Sequence, residues 1–173
     1  MANFISSILR LIWLGLENQE QLIENLTSQF FNNDPTMCSI GLIIYNFMLK
    51  NLKLNPHSFG YFKYRRLSLS FQEKALNTMF NATMTVVKGL TNLAHNKSND
   101  FNEEIYNLSL EVLFQLMTYN FNLSYFDFSS DKDLGEISTT VYPDEWKGNL
   151  VNYEFWESLI GILKLKIMDD EVD

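Results

Sequence analysis

Apolar residues recur along this chain at intervals of three and four, the spacing that gathers them on one face of an α-helix. Phe4, Ile5, Ile8, Leu9, Leu11 and Ile12 predict a first helix over Asn3–Leu14, punctuated by Gly15 and Asn18. Leu22, Ile23, Leu26 and Phe30 form the stripe of a second, Gln19–Phe31. Glu17, Glu20 and Glu24 lie near its start, where the helix dipole favours carboxylates. Asn32-Asn33-Asp34-Pro35 reads as a stop followed by a start: Asp34 can cap, and Pro35 suits a first helical position. The third helix, Pro35–Leu52, carries Met37, Ile40, Leu42, Ile43, Ile44, Phe47 and Met48 on most of its surface. A helix apolar nearly all round is expected in the interior.

Asn55–Leu69 lacks a clear period and is basic, so it reads as irregular chain. Ser70 followed by Glu73 has the spacing of a capping box. A long fourth helix is expected from there to Ala94, through Leu76, Met79, Phe80, Met84, Val87 and Leu90. His95–Asn102 is a polar linker. Ile105, Leu108, Val112 and Leu116 mark a fifth helix, Glu103–Phe121, and Leu110, Leu113, Phe114 and Met117 widen its stripe, predicting burial on more than one side. A long acidic loop follows over 122–144, with Tyr125, Phe126 and Phe128 in it, before a last helix, Tyr153–Met168, and an acidic tail. Six helices joined mostly by short links predict an all-α fold of antiparallel hairpins. HEAT-type repeats take about 40–47 residues, so roughly three to four would fit in a single segment. On pattern alone an irregular helical bundle serves equally well.

Composition narrows the class. With 173 residues, 46% hydrophobic and 20% charged, the chain can bury a real core. Seven Gly and three Pro are too few for a turn-rich β fold. A formal charge of −8 argues against a sequence-independent nucleic-acid binder, which needs a positive field to displace counterions from phosphates. The single cysteine, Cys38, precludes a disulfide framework. The Asn-x-Ser/Thr triplets at Asn25, Asn81 and Asn107 matter only in a secreted protein, and an Asn-rich chain produces them by chance. The opening MANFISSILRLIWLGL has no leading positive cluster, carries Arg10 inside its apolar stretch and lacks a small-residue cleavage pattern, so it is not expected to be a signal peptide. The other long apolar run, Met37–Leu49, is too short to span a bilayer and contains Asn46, so no membrane insertion is expected.

Catalytic and cofactor chemistry finds little purchase. There is no GxGxxG spacing and no Gly-Lys-Ser/Thr triplet, hence no phosphate cradle. His57, His95 and one cysteine are a poor zinc set, and a cysteine on an apolar helix is ordinarily core. Asp127, Asp131, Asp133 and Glu136 invite a calcium loop. Aligning Gly135 with the EF-hand glycine, however, puts Ser130, Lys132 and Leu134 at ligand positions and Val141 where the bidentate Glu belongs. As an acid/base pair those carboxylates lack any placed substrate. They remain a solvated loop or a contact for a basic surface. Lys63, Arg65 and Arg66 are the matching basic cluster, either pairing with carboxylates of neighbouring helices or meeting an acidic partner. Trp146 and Phe128 are expected to anchor the long loop, with a peptide-binding pocket as the alternative. No cofactor and no catalytic residue is expected.

Three blocks carry a resemblance. NFNLSYFDFSSDKDLGEISTTVYPDEWKGNL, from Asn120, resembles the exportin-7 and Ran-binding protein 17 subgroup of the importin-β (karyopherin) superfamily: a helix ending in an Asn-Phe-Asp-Phe-like run, an acidic Ser/Asp loop, a strand-like stretch, then Pro, a short spacer, Trp and a basic residue. The matching residues are Asn120, Phe121, Asp131, Asp133, Leu134, Pro143, Trp146 and Lys147. Upstream, KYRRLSLSFQEKALNTMF is similar through Arg65, Arg66, Ser70 and Phe71, and CSIGLIIYNFML from Cys38 resembles the preceding helix. Order and spacing agree from about Leu14 to Phe155. The third block is fairly specific; its loop is poorer in acidic residues than the subgroup pattern, and the chain is richer in Asn and Phe.

The resemblance implies an α-α superhelix of HEAT-like hairpins, part of a receptor that binds Ran in its GTP form and takes protein cargo through nuclear pores. Such a receptor contacts nuclear pore proteins and works in cytoplasm and nucleus. It has many more repeats than this chain contains, and the match begins after the family's first, Ran-contacting repeats, so a partial chain is implied. Candidate partner contacts are then Lys63, Arg65, Arg66, Asp131, Asp133, Glu136, Trp146 and Lys147. The competing expectation is a stand-alone helical adaptor without a Ran link.

Overall fold

A computed structural model describes residues 11–32, 34–52, 61–119 and 142–170, with only the backbone path for 61–65 and 162–170. Every regular element among the described residues is helical. A helical turn at residues 11–15 precedes α1 (Gln19–Phe30), α2 (Pro35–Leu52), α3 (Tyr61–Lys74), α4 (Leu76–His95) and α5 (Glu103–Met117). A 3-10 turn over Asp144–Trp146 then enters the single-turn α6 (Lys147–Leu150), followed by α7 (Tyr153–Asp170). The body of the expected first helix, residues 3–10, lies outside the described residues.

The α1–α2 reversal forms as its sequence predicts. Asp34 Oδ1 accepts from the amides of Thr36 at 2.8 Å and Met37 at 3.4 Å, satisfying donors that a helix start leaves open. Close approach of the two helices then demands a glycine: a Cβ on Gly41 would lie 2.8 Å from both Phe30 Cβ and Phe31 Cε2. The α4–α5 reversal is a Schellman motif. Ser98 N–H donates to Leu93 O at 3.0 Å and Lys97 N–H to Ala94 O at 3.1 Å, with Lys97 at φ 49° where glycine is usual. Asn102 caps α5, its Oδ1 accepting from Ile105 N–H at 3.0 Å.

α1 packs on α2 and α4 on α5, and the two pairs meet through α1 against α4 and α2 against α5. Directions follow from the end contacts. Lys74, just ahead of α4, pairs with Glu20 in the first turn of α1 at 2.7 Å. At the opposite end, Asp34 and Pro35 share a groove with Leu90, Leu93 and Ile105. Like helices therefore run the same way, and the antiparallel pairs stack side by side. α7 lies against α4. One core cluster spans the described chain from Trp13 to Leu159.

Three expectations change. Residues 61–69 are not irregular but belong to α3, and Ser70 does not start a helix: it sits inside α3. Leu67, Phe71 and Ala75, four residues apart, are buried and supply the stripe. The serines do not break the helix because tertiary partners hold their hydroxyls: Ser68 Oγ lies 2.7 Å from Tyr119 OH, and Ser70 Oγ donates to Gln19 Oε1 at 3.1 Å. The bend comes instead at Ala75, where Ala75 N–H to Phe71 O and Met79 N–H to Ala75 O, both 3.0 Å, carry the ladder across. Second, α2 is not enclosed on all sides, for Ile40, Ile43 and Phe47 are exposed. Third, Phe114, expected inside, is 63% exposed. Packing by α1 and α5 leaves the part of α2 that carries Ile40, Ile43 and Phe47 uncovered.

Candidate interaction surface

Among the candidate contacts only Arg66, Trp146 and Lys147 have described side chains. Arg66 is exposed on α3, and Lys63 and Arg65 lie on the same helix with their side chains outside the described set. Asp131, Asp133, Glu136 and Phe128 fall outside the described residues. The described candidates do not converge: Arg66 is on α3, whereas Trp146 and Lys147 belong to the segment covering α4. Lys147 is exposed and pairs with Asp144 at 2.6 Å, which holds the Asp144 carboxyl below its ordinary range.

Trp146 is fully buried and lies flat on Phe80 of α4, ring centroids 3.8 Å apart and planes 7° from parallel. Around it, Tyr142 OH donates to Met117 O at 3.1 Å, and Lys88 Nζ donates to Asn149 Oδ1 at 2.6 Å while standing 5.6 Å above the Phe155 ring. Trp156 Nε1 donates to Leu150 O at 3.0 Å. The stretch from Tyr142 to Trp156 thus straps across α4 and the end of α5, with Trp146 as its anchor. The Trp146 ring is thus packed inside and not presented at the surface, while Phe128, paired with it in the anchoring expectation, lies outside the described residues.

Three surface features stand out that the one-dimensional pattern did not single out. The first is a groove of 280 Å³ at the turn ends of the two helix pairs, with Pro35, Val86, Leu90, Leu93 and Ile105 forming its apolar part. Asn32, Asp34, Asp100 and Asn102 rim it, and the buried Cys38 borders it. Burial raises the Cys38 thiol above its usual value, so it is a poor nucleophile. The second is a polar cleft of 380 Å³ between Glu17, Glu20, Glu24 and Lys74. The third is the uncovered apolar face of Ile40, Ile43 and Phe47 on α2 and Phe114 on α5, the two helices bridged by the Lys50–Glu111 pair at 2.7 Å. The groove depends on which turns end up adjacent; its one sequence signal is Gly89, a helix-interior glycine with no evident packing need.

Among the described residues no group of three or more His, Cys, Asp or Glu could hold a metal ion, and no helix is long and apolar enough to cross a membrane. Comparison with family models, curated proteins and solved structures returned no match.

Proposed function

We propose that this chain is a segment of an exportin-7-like nuclear transport receptor. It is a non-catalytic helical scaffold whose parent protein binds Ran in its GTP form and carries protein cargo through nuclear pores, between nucleus and cytoplasm. The observation carrying this reading is the Pro143–Trp146–Lys147 block. It is the most specific part of the resemblance, and its Trp146 is fully buried against α4.

The stacking of α1–α2 on α4–α5 with like helices in contact supports a HEAT-like superhelix. Val151 and Tyr153 are 76% and 74% exposed, and Leu11 and Ile12 are exposed too; in the receptor reading, neighbouring repeats would cover such apolar residues.

The test measures retention on immobilised Ran locked in its GTP or GDP form. The chain extended by its flanking coding sequence should bind the GTP form selectively, and the 173-residue chain weakly or not at all. An extended chain retained by neither form would refute the receptor reading and leave the adaptor.

A further inference from the structure

We propose that the groove at the turn ends of the two helix pairs docks a short linear segment of a partner protein, seating one aliphatic side chain against Leu90 and Ile105 and an adjacent Lys or Arg against the rim carboxylates. At 280 Å³ the space is below the ~300–1,000 Å³ of sites that enclose a small molecule, but ample for one or two side chains. The wall on α4 is recessed at Gly89, where an added Cβ would meet nothing within 4 Å. Val86, Leu90 and Leu93, all of α4, surround that recess with apolar surface.

Charge selects the second side chain. Asp34 and Asp100 belong to the lining, in which no described residue is Lys, Arg or His. The starts of α2 and α5 point here and contribute about +0.5 each. The two aspartates outweigh them, and Glu103 and Glu104 in the first turn of α5 add to the negative side. His95 and Lys97 are exposed in the adjoining turn, outside the lining. Both capping bonds to Asp34 use Oδ1, so Oδ2 can receive a cation. A long Lys or Arg stem lies naturally along the apolar wall while its head reaches the rim.

The assignment rests on the scaffold reading alone and is independent of Ran, so its failure would leave the Ran test standing. The probe is a random heptapeptide phage library selected on the whole chain, followed by fluorescence anisotropy with synthetic peptides from the enriched set. Enriched peptides should place a Leu, Ile, Val or Met within two residues of a Lys or Arg. Filling the recess with Gly89→Trp should weaken their binding at least tenfold. Asp34→Asn combined with Asp100→Asn should weaken it at least fivefold at low salt, and Asn at position 34 retains the cap. Bound peptide should also slow modification of Cys38, the chain's single cysteine, by dithiodipyridine at least threefold. The proposal is overturned by a library that yields no binder, by enriched peptides without basic residues, or by binding indifferent to the aspartate pair. A dimer in sedimentation that Gly89→Trp dissociates would assign the groove to a second copy and overturn it equally.

Discussion

Trp146→Ala should cost this protein a large share of its stability. A buried aromatic side chain removes about 150–250 Å² from water, which at about 25 cal/mol per Å² is worth roughly 4–6 kcal/mol. Alanine recovers part of that, while the vacated space adds a cavity term. About 4 kcal/mol is the expected loss, within the usual range of roughly 3–5 for such truncations. Part of it is the ring stack with Phe80, about 0.5–1.5 kcal/mol beyond area. Other ties of the strap include the Tyr142, Lys88 and Trp156 hydrogen bonds. None replaces a fully buried ring. Against a typical total of ~5–15 kcal/mol, this brings a marginal chain close to unfolding. Urea titration followed by far-UV circular dichroism reads it directly: with a slope of about 2 kcal/mol/M the midpoint should fall by about 2 M. Trp146→Phe keeps a stacking ring and should lose roughly half as much. A Trp146→Ala midpoint within about 0.5 M of the parent would show that the strap is not anchored by this residue.

Two glycines in helices should respond oppositely to alanine. Gly41→Ala should destabilise by about 1–3 kcal/mol because its Cβ collides with Phe30 and Phe31, whereas Gly89→Ala meets open space and should stabilise by up to about 1 kcal/mol. Thermal melts of the pair check this, and a stabilising Gly41→Ala would contradict the packing described. Lys97→Gly should raise stability by about 0.5–1 kcal/mol in the same assay, since Lys97 holds a left-handed φ of 49°. High pH should weaken the fold through Tyr45, whose phenol burial pushes up to about 12 although its hydrogen bond with Thr27 opposes this. The unfolded phenol ionises near ~10, so the contribution is complete below that pH and is lost as pH rises from there through about 12. Tyr119, shifted upward by burial with the Ser68 hydrogen bond opposing, acts in the same direction. Urea midpoints at pH 9 and pH 11 should therefore diverge, and Tyr45→Phe should shrink the gap. Glu111→Gln, which breaks the exposed pair with Lys50, should change stability by less than about 1 kcal/mol and by less still at high salt.

Local patterning determined much of this protein by itself. Spacing of apolar residues located α1, α2, α5 and α7 closely, because an amphipathic stripe has to be buried whatever its neighbours are. Asp34-Pro35 fixed the start of α2 for an equally local reason: a carboxylate two and three residues ahead of open amides caps them without tertiary help. The helix α3 was hidden, since 55–69 lacks a clear period and Ser70 reads as a cap; Tyr119 and Gln19, each 51 residues away in sequence, supply the hydrogen-bond partners of Ser68 and Ser70. The resemblance depends on Trp146 as a letter in a motif; only packing assigns that ring to Phe80, 66 residues earlier, and makes it an anchor instead of a contact surface. Ile40, Ile43, Phe47 and Phe114 are as apolar as Leu42 and Leu116, yet the first four face outward and the last two inward. Hydrophobicity says that a residue gains by leaving water, but the finite number of neighbouring helices decides which residues can. The groove beside Gly89 follows the same logic, because it exists only where two distant turns are brought together by stacked helix pairs.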